Sequence, residues 1–284
     1  MKRVLILGST GMLGSMVYGY LKKNPQFTVV GTDRESFDAE AFVRGVAQKA
    51  SFKVDYVINC IGVIKPFCKD NDPAGVQRAI AVNAMFPHRL AEHAKKAGAK
   101  TIQIATDCVY SGQKGSYLES DTHDALDVYG KSKSLGEVFN KSLLNIRCSI
   151  IGPEIKNKVS LLEWFLAQPE GSELNGFAHH RWNGVTTLQF AQICEKIIER
   201  GAYERLLEIS PVHHFVPNST VDKYELLGMM GEVFGRKHPV KRVTDIGPPV
   251  DRTIGTKYSV LQELYGQGEM KSALMDLRKY IRAE

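Results

Sequence analysis

The stretch Val4-Leu5-Ile6-Leu7-Gly8-Ser9-Thr10-Gly11-Met12-Leu13-Gly14 decides the fold of this chain. Four consecutive apolar residues without polar alternation describe a strand covered on both faces, as in a parallel sheet between helices. Three glycines spaced G-x-x-G-x-x-G follow, and an amphipathic helical pattern then runs over 12–23. In that context the turn reads as a dinucleotide-binding signature. Gly8 and Gly11 permit a tight turn and close backbone approach to a pyrophosphate, with Thr10, Met12 and Leu13 beside it. The helix N-terminus adds unpaired N–H groups and positive dipole charge, and Gly14 lets helix and sheet pack closely.

Outward from this turn the alternation continues. Further apolar runs occupy 27–30, 54–58, 101–105 and 143–148, separated by amphipathic stretches at 74–97 and 128–141. Strands alternating with helices predict an α/β doubly wound parallel sheet. Pro87 lies inside the long 74–97 pattern and should kink or divide that helix. After about residue 150 prolines punctuate shorter elements, with helices expected over 187–200 and 220–234. The reading is a dinucleotide-binding domain over 1–152 and a smaller mixed α/β lobe over 153–284, the boundary blurred where the chain crosses back.

Composition narrows the function classes. The 284 residues carry 43% hydrophobic and 24% charged residues, which argues against a largely disordered chain. No apolar run approaches the roughly 18 residues of a membrane helix, and the start is too short in apolar residues for a signal peptide. The net charge of +6 is spread along the chain rather than concentrated in a patch, so nucleic acid is not expected and a small anionic ligand is. Five cysteines without a C-x-x-C suggest neither a disulfide framework nor zinc, and point to the reducing cytoplasm. Adjacent side chains should diverge in the pairs His179/His180 and His213/His214, so no metal is expected there.

The second strand ends at Asp33, where an acidic residue accepts hydrogen bonds from the adenosine ribose and favours NAD. Arg34 beside it can pair with a 2′-phosphate, and Asp38 stands near the adenine. Asn59-Cys60-Ile61-Gly62 closes the third strand and should meet the cofactor by backbone, through Cys60, Ile61 and Gly62. Thr106-Asp107-Cys108 closes the fourth, at the carboxyl end where such sheets hold ligands. Tyr129 and Lys133, four residues apart on a helix, emerge side by side. A neighbouring ammonium is expected to draw the phenol down toward the working range.

Gly8-x-x-Gly11-x-x-Gly14, Thr106-Asp107-x-Val109-Tyr110, Tyr129-x-x-x-Lys133 and Asn145-Ile146-Arg147-Cys148 follow the order of the extended short-chain dehydrogenases/reductases. More narrowly the chain resembles the dTDP-4-dehydrorhamnose reductase, or RmlD-like, branch. Val82-Asn83 with Pro87 and Leu90-Ala91, and Tyr117-x-Glu119-Ser120-Asp121, add to the likeness, which is specific over 1–152. The resemblance implies a Rossmann domain, NAD(H) or NADP(H), and a nucleoside-diphosphate keto sugar held by the C-terminal lobe. It implies Tyr129, Lys133, Thr106 and Asp107 as catalytic residues. Thr106, Asp107 and Cys108 would face the sugar, and Arg181-Trp182 would supply charge and a stacking ring, with Arg252 and Lys257 as further cations.

Cys108 stands where the family commonly has tyrosine, and Ser149-Ile150-Ile151-Gly152 replaces an aromatic-rich run, so the sugar environment should differ. The implied reaction is reduction of a keto group, at C4 of a 6-deoxy sugar. An epimerase of the same family and a non-catalytic NAD(P)-binding subunit are the rival readings. A dehydratase is disfavoured because Asp107 is followed by Cys108 rather than a second acid. A homodimer is compatible with all of these.

Overall fold

The computed structural model describes residues 1–283. The N-terminal apolar run becomes β1 (Lys2–Leu7), and the pleat divides its side chains between two cores. Val4 and Ile6 enter one core, Leu5 and Leu7 the other, each at most 1% exposed. Burial of this kind stabilises by about 1.5–3 kcal/mol per residue. There follow α1 (Met12–Lys22), β2 (Phe27–Gly31), α2 (Ala39–Val43), β3 (Tyr56–Asn59) and α3 (Pro73–Ala79). Next come α4 (Phe86–Lys96), β4 (Lys100–Thr106), α5 (Val128–Leu135) and β5 (Leu144–Cys148).

The second half comprises β6 (Ile150–Ile151), α6 (Leu161–Ala167), β7 (Leu174–Phe177), β8 (His180–Trp182), β9 (Val185–Thr186), α7 (Thr187–Glu199), α8 (Tyr203–Ile209) and β10 (Val212–His214). It ends with β11 (Val221–Asp222), α9 (Lys223–Phe234), β12 (Val240–Val243), β13 (Val250–Asp251), α10 (Val260–Tyr265) and α11 (Met270–Arg282). The main sheet runs β2-β1-β3-β4-β5-β10, all neighbours parallel. This is the expected α/β Rossmann-type doubly wound sheet. Strand order reverses between β1 and β3, which opens a crevice at their carboxyl ends.

The chain does cross back. β10 pairs with β5 at the sheet edge, and α7 lies against α1. Glu195 of α7 accepts from the Tyr20 hydroxyl at 2.7 Å and from Asn24 at 2.7 Å, tying the halves together. Small sheets complete the second half: β11-β8-β13, β12-β7 and β6-β9.

Pro87 divides the long helical pattern as expected, but through a wider turn. Ile80–Met85 is π-helical between α3 and α4. Proline has no N–H for the carbonyl four residues back, which is that of Asn83. Gly136 fills the space there, for a Cβ on it would lie 1.8 Å from the Asn83 oxygen. The helix expected over 128–141 therefore stops at Leu135, and Glu137 turns inward to Arg147.

Candidate active site

Gly8 adopts φ +79°, a left-handed conformation favouring glycine, and a Cβ there would sit 2.9 Å from Ile61. A Cβ on Gly14 would fall 2.1 Å from the Gly8 carbonyl oxygen, so the helix can start this close to the sheet only with glycine. Gly11 precedes α1 with no side-chain cap, and no acidic residue occupies the first turn. The first N–H groups of α1 thus remain open to an anion.

A cleft of about 230 Å³ lies over this turn, lined by Gly8, Thr10 and Gly11 from β1–α1. Asp33, Arg34 and Asp38 line it after β2, and Cys60, Ile61 and Gly62 after β3. Met12, half-buried at the helix start, and Leu13, whose side chain is buried in the core, are not among the lining residues. Asp33 accepts from the Ser36 N–H at 2.9 Å and hydroxyl at 2.7 Å, which holds its carboxyl below the usual range. Arg34 lies 3.5 Å from Asp38 and 3.9 Å from Glu40. Asp38 is also the N-cap of α2, accepting from Ala41 at 2.7 Å.

The cleft leads to the second cluster at Gly62, where a Cβ would lie 4.0 Å from Lys133 Nζ. Asn83 braces this junction: its side chain bonds both backbone groups of Val63, at 2.8 and 2.9 Å, and the Ser132 hydroxyl at 3.1 Å. Tyr129 and Lys133 project from one face of α5, half-buried. Asp127 caps that helix, accepting from Gly130 at 2.6 Å, and pairs with Lys65 at 2.7 Å.

Lys133 donates to the Ile104 carbonyl at 3.1 Å, and burial lowers its ammonium to about 8 against the pull of Glu137. The expectation for Tyr129 is corrected. Burial, with Cys108 and Asp107 adding to it, pushes the phenol well above its ordinary value, and only the Thr106 hydroxyl pulls it down. Lys133 is spent on a strand carbonyl rather than on the phenolate. Tyr129 is therefore a protonated phenol at neutral pH.

Thr106 and Asp107 are buried at the end of β4. Thr106 accepts from the Cys108 N–H at 3.2 Å. Burial raises the Asp107 carboxyl, opposed by Arg252, Cys108, Thr106 and Lys223. Burial likewise pushes the Cys60 and Cys108 thiols up to about 12, so neither is a thiolate nucleophile.

The structure does not bring Arg181 to this cluster. It is exposed and pairs with Asp251 at 3.0 Å, on the face of β8 opposite His180 and Trp182, since adjacent strand residues alternate. Lys257 is exposed as well, its N–H donating to Glu119. Trp182 is buried in the core beneath Lys223, whose Nζ lies 5.4 Å from its ring centroid. Lys223 opens α9 and reaches this ring because β11, just before it, pairs with β8, a nonlocal contact that residue type alone does not signal.

The histidine pairs behave differently. His213 and His214 face opposite sides of β10, toward the Leu206 carbonyl and Arg147. His179 and His180 do not diverge: they straddle the turn into β8, and their rings meet at 4.6 Å. Among the described residues no group of three or more His, Cys, Asp or Glu is placed to hold a metal, and no helix is long and apolar enough to cross a membrane.

Sheet order, glycine turn and crevice define a Rossmann-type protein of the α/β class. Within that class, the chain belongs to the RmlD substrate binding domain family, matched over residues 1–249. It is 28% identical over 253 residues to methionine adenosyltransferase 2 subunit beta of Danio rerio, covering 82% of this chain and 74% of that one. Among solved structures, a dTDP-4-dehydrorhamnose reductase of Clostridium acetobutylicum shares the fold with TM-score 0.75 and 22% identity, covering 99% of each chain. The Bacillus anthracis dTDP-4-dehydrorhamnose reductase in complex with NADP has TM-score 0.74 and 18% identity, again over 99% of each.

Proposed function

We propose that this protein reduces a keto group of a nucleoside-diphosphate sugar, at C4 of a 6-deoxy sugar, with NAD(H) or NADP(H). The observation that supports the reading is the approach of Lys133 to Gly62, which lines the glycine-turn cleft, with Tyr129 on the same face of α5. The cleft suits a dinucleotide: Gly8 and Gly14 tolerate no side chain, and open helix N–H groups face the pyrophosphate position. That cofactor supplies the hydride.

The chain's own residues manage the oxygen. Thr106 would hold the carbonyl oxygen, and Tyr129, kept protonated by burial, would donate its proton as negative charge develops there. Lys133, anchored on Ile104, would hold the nicotinamide ribose and restore the phenol's proton. Asp107, its carboxyl raised by burial and drawn back by Arg252, would orient a sugar hydroxyl. Asn83 keeps Val63 and α5 in register so that these groups stay aligned.

Oxidation of NADH or NADPH in the presence of a panel of nucleotide-linked 4-keto sugars tests the reading. Tyr129→Phe should lower turnover by roughly 10²-fold or more with cofactor binding intact. Unchanged turnover would remove Tyr129 from the mechanism.

A second reading has an observation of its own. The relative from Danio rerio is a subunit of methionine adenosyltransferase, so this chain as an NAD(P)-binding subunit of another enzyme is the alternative. Absence of cofactor oxidation with every sugar, alongside tight NADP binding, would favour it.

A further inference from the structure

Three buried amides stand in a row across the main sheet. Asn59 of β3, Gln103 of β4 and Asn145 of β5 lie opposite one another in the parallel register, each at most 3% exposed. They form one hydrogen-bonded chain. The Ile61 N–H donates to Asn59 Oδ1 at 3.0 Å, and Asn59 Nδ2 donates to Gln103 Oε1 at 2.9 Å. Gln103 Nε2 donates to Asn145 Oδ1 at 3.4 Å, and Asn145 Nδ2 to the Pro211 carbonyl at 3.0 Å, just before β10. The N–H at one end can only donate and the carbonyl at the other can only accept, so every amide between them points the same way.

Side branches of this chain fall on the end of α5. Gln103 Nε2 also donates to the Gly136 carbonyl at 3.1 Å, and Asn145 Nδ2 to that of Val138 at 2.9 Å. Gly136 is the C-cap of α5. Lys133, in the same turn, donates to the carbonyl of Ile104, the residue after Gln103. Two adjacent residues of β4 thus hold the last turn of α5, one by its carbonyl and one by its side chain. At its other end the chain holds Ile61, in the wall of the glycine-turn cleft. Burial alone does not call for amides here, because apolar side chains would exclude water as well and a hydrogen bond adds only about 1 kcal/mol net. A fully paired polar network fixes geometry instead.

We propose that Gln103 is a positioning residue of the active site: it sets the spacing between the cleft wall at Cys60–Ile61 and the helix that carries Tyr129 and Lys133. Its part in turnover rests on the reduction proposed above. The spacing itself does not, since the chain's own side chains join the two segments.

Gln103→Met keeps the length of the side chain and removes its amide. With NADPH and a reducible nucleotide-linked 4-keto sugar, kcat should fall roughly tenfold or more, the effect of a small misplacement of reacting groups. The KM for NADPH should change less than about threefold, since Asn59 still holds Ile61. The alkaline limb that Lys133 sets near 8 should move to higher pH as water reaches the loosened helix end. Gln103→Glu should gain on Gln103→Met as pH falls, because only a protonated carboxyl can donate to Gly136. Hydrogen exchange needs no sugar: in Gln103→Met the amides of 60–63 and 133–138 should exchange roughly tenfold faster, the worth of one hydrogen bond, with α9 unchanged. Gln103→Asn, one methylene shorter, carries the test if Gln103→Met does not fold.

Unchanged exchange in both segments overturns the proposal. So does a fall in kcat matched by an equal rise in KM with the alkaline limb in place, the mark of general loosening. Faster exchange in both segments, with no oxidation of NADPH by the parent on any sugar, would sink the reductase reading and leave the spacing role standing. Oxidation by the parent with kcat unaltered in Gln103→Met would do the reverse.

Discussion

Acidifying from about pH 8 to about pH 5 should cost the fold about 2 kcal/mol through one side chain, His214. The imidazole is fully buried. Its Nδ1 donates to the Gly255 carbonyl at 2.6 Å, so Nε2 keeps its lone pair and accepts from Arg147 at 2.6 Å. Arg147 is fully buried too, gripping Glu137 at 2.9 and 2.6 Å. A proton on Nε2 would set N–H against guanidinium N–H. Burial and Arg147 together lower His214 from 6.5 to about 4, despite Glu119 and Glu137.

The folded value lies below the unfolded one, so the unfolded chain binds the extra proton. Stability is whole above about pH 6.5 and falls as pH drops toward 4, by at most about 3 kcal/mol. Urea unfolding of the parent and of His214→Gln at both pH values measures it. The parent should lose about 2 kcal/mol more than the variant on acidification. Equal losses, or an NMR titration of folded His214 near 6.5, would refute the reasoning.

Gly14→Ala would press a Cβ onto the Gly8 carbonyl. It should destabilise by about 1–3 kcal/mol in thermal unfolding and weaken NADPH binding in a fluorescence titration. Glu137→Gln leaves the Arg147 charge buried and uncompensated, and should cost about 3–5 kcal/mol by chemical denaturation. Lys133 loses its proton as pH rises through about 8, so the reduction rate should decline above that value. A pH–rate profile checks this, and Lys133→Met should be slow at every pH.

The glycine turn, Asp33, Thr106 and the Tyr129–Lys133 spacing were legible because each depends on residues near in sequence. Five strands of the main sheet were readable for the same reason, since continuous apolar runs can do little else. β10 was not: Val212–His214 is three residues long, two of them histidines, and is a strand only because β5 offers an edge. Pro87 announced a break, but not the π-turn before it, whose Asn83 carbonyl packs so close to the distant Gly136 that no side chain fits there. Arg181 was chosen over its neighbours on residue type, and a one-residue alternation put it on the wrong face. The Tyr129 expectation counted the ammonium four residues away and missed burial, which depends on the whole packed site.

The return of β10 to the sheet bears on where this chain can be cut. Residues 1–152 look self-sufficient on paper, yet a gene fragment ending there would bare β5 as an edge and strip Arg147 of His214. An open strand edge invites pairing with other chains. Exchange of the second half between relatives would thus need to carry β10 with the sheet, making two splice points the minimum for a chimera without a bared edge.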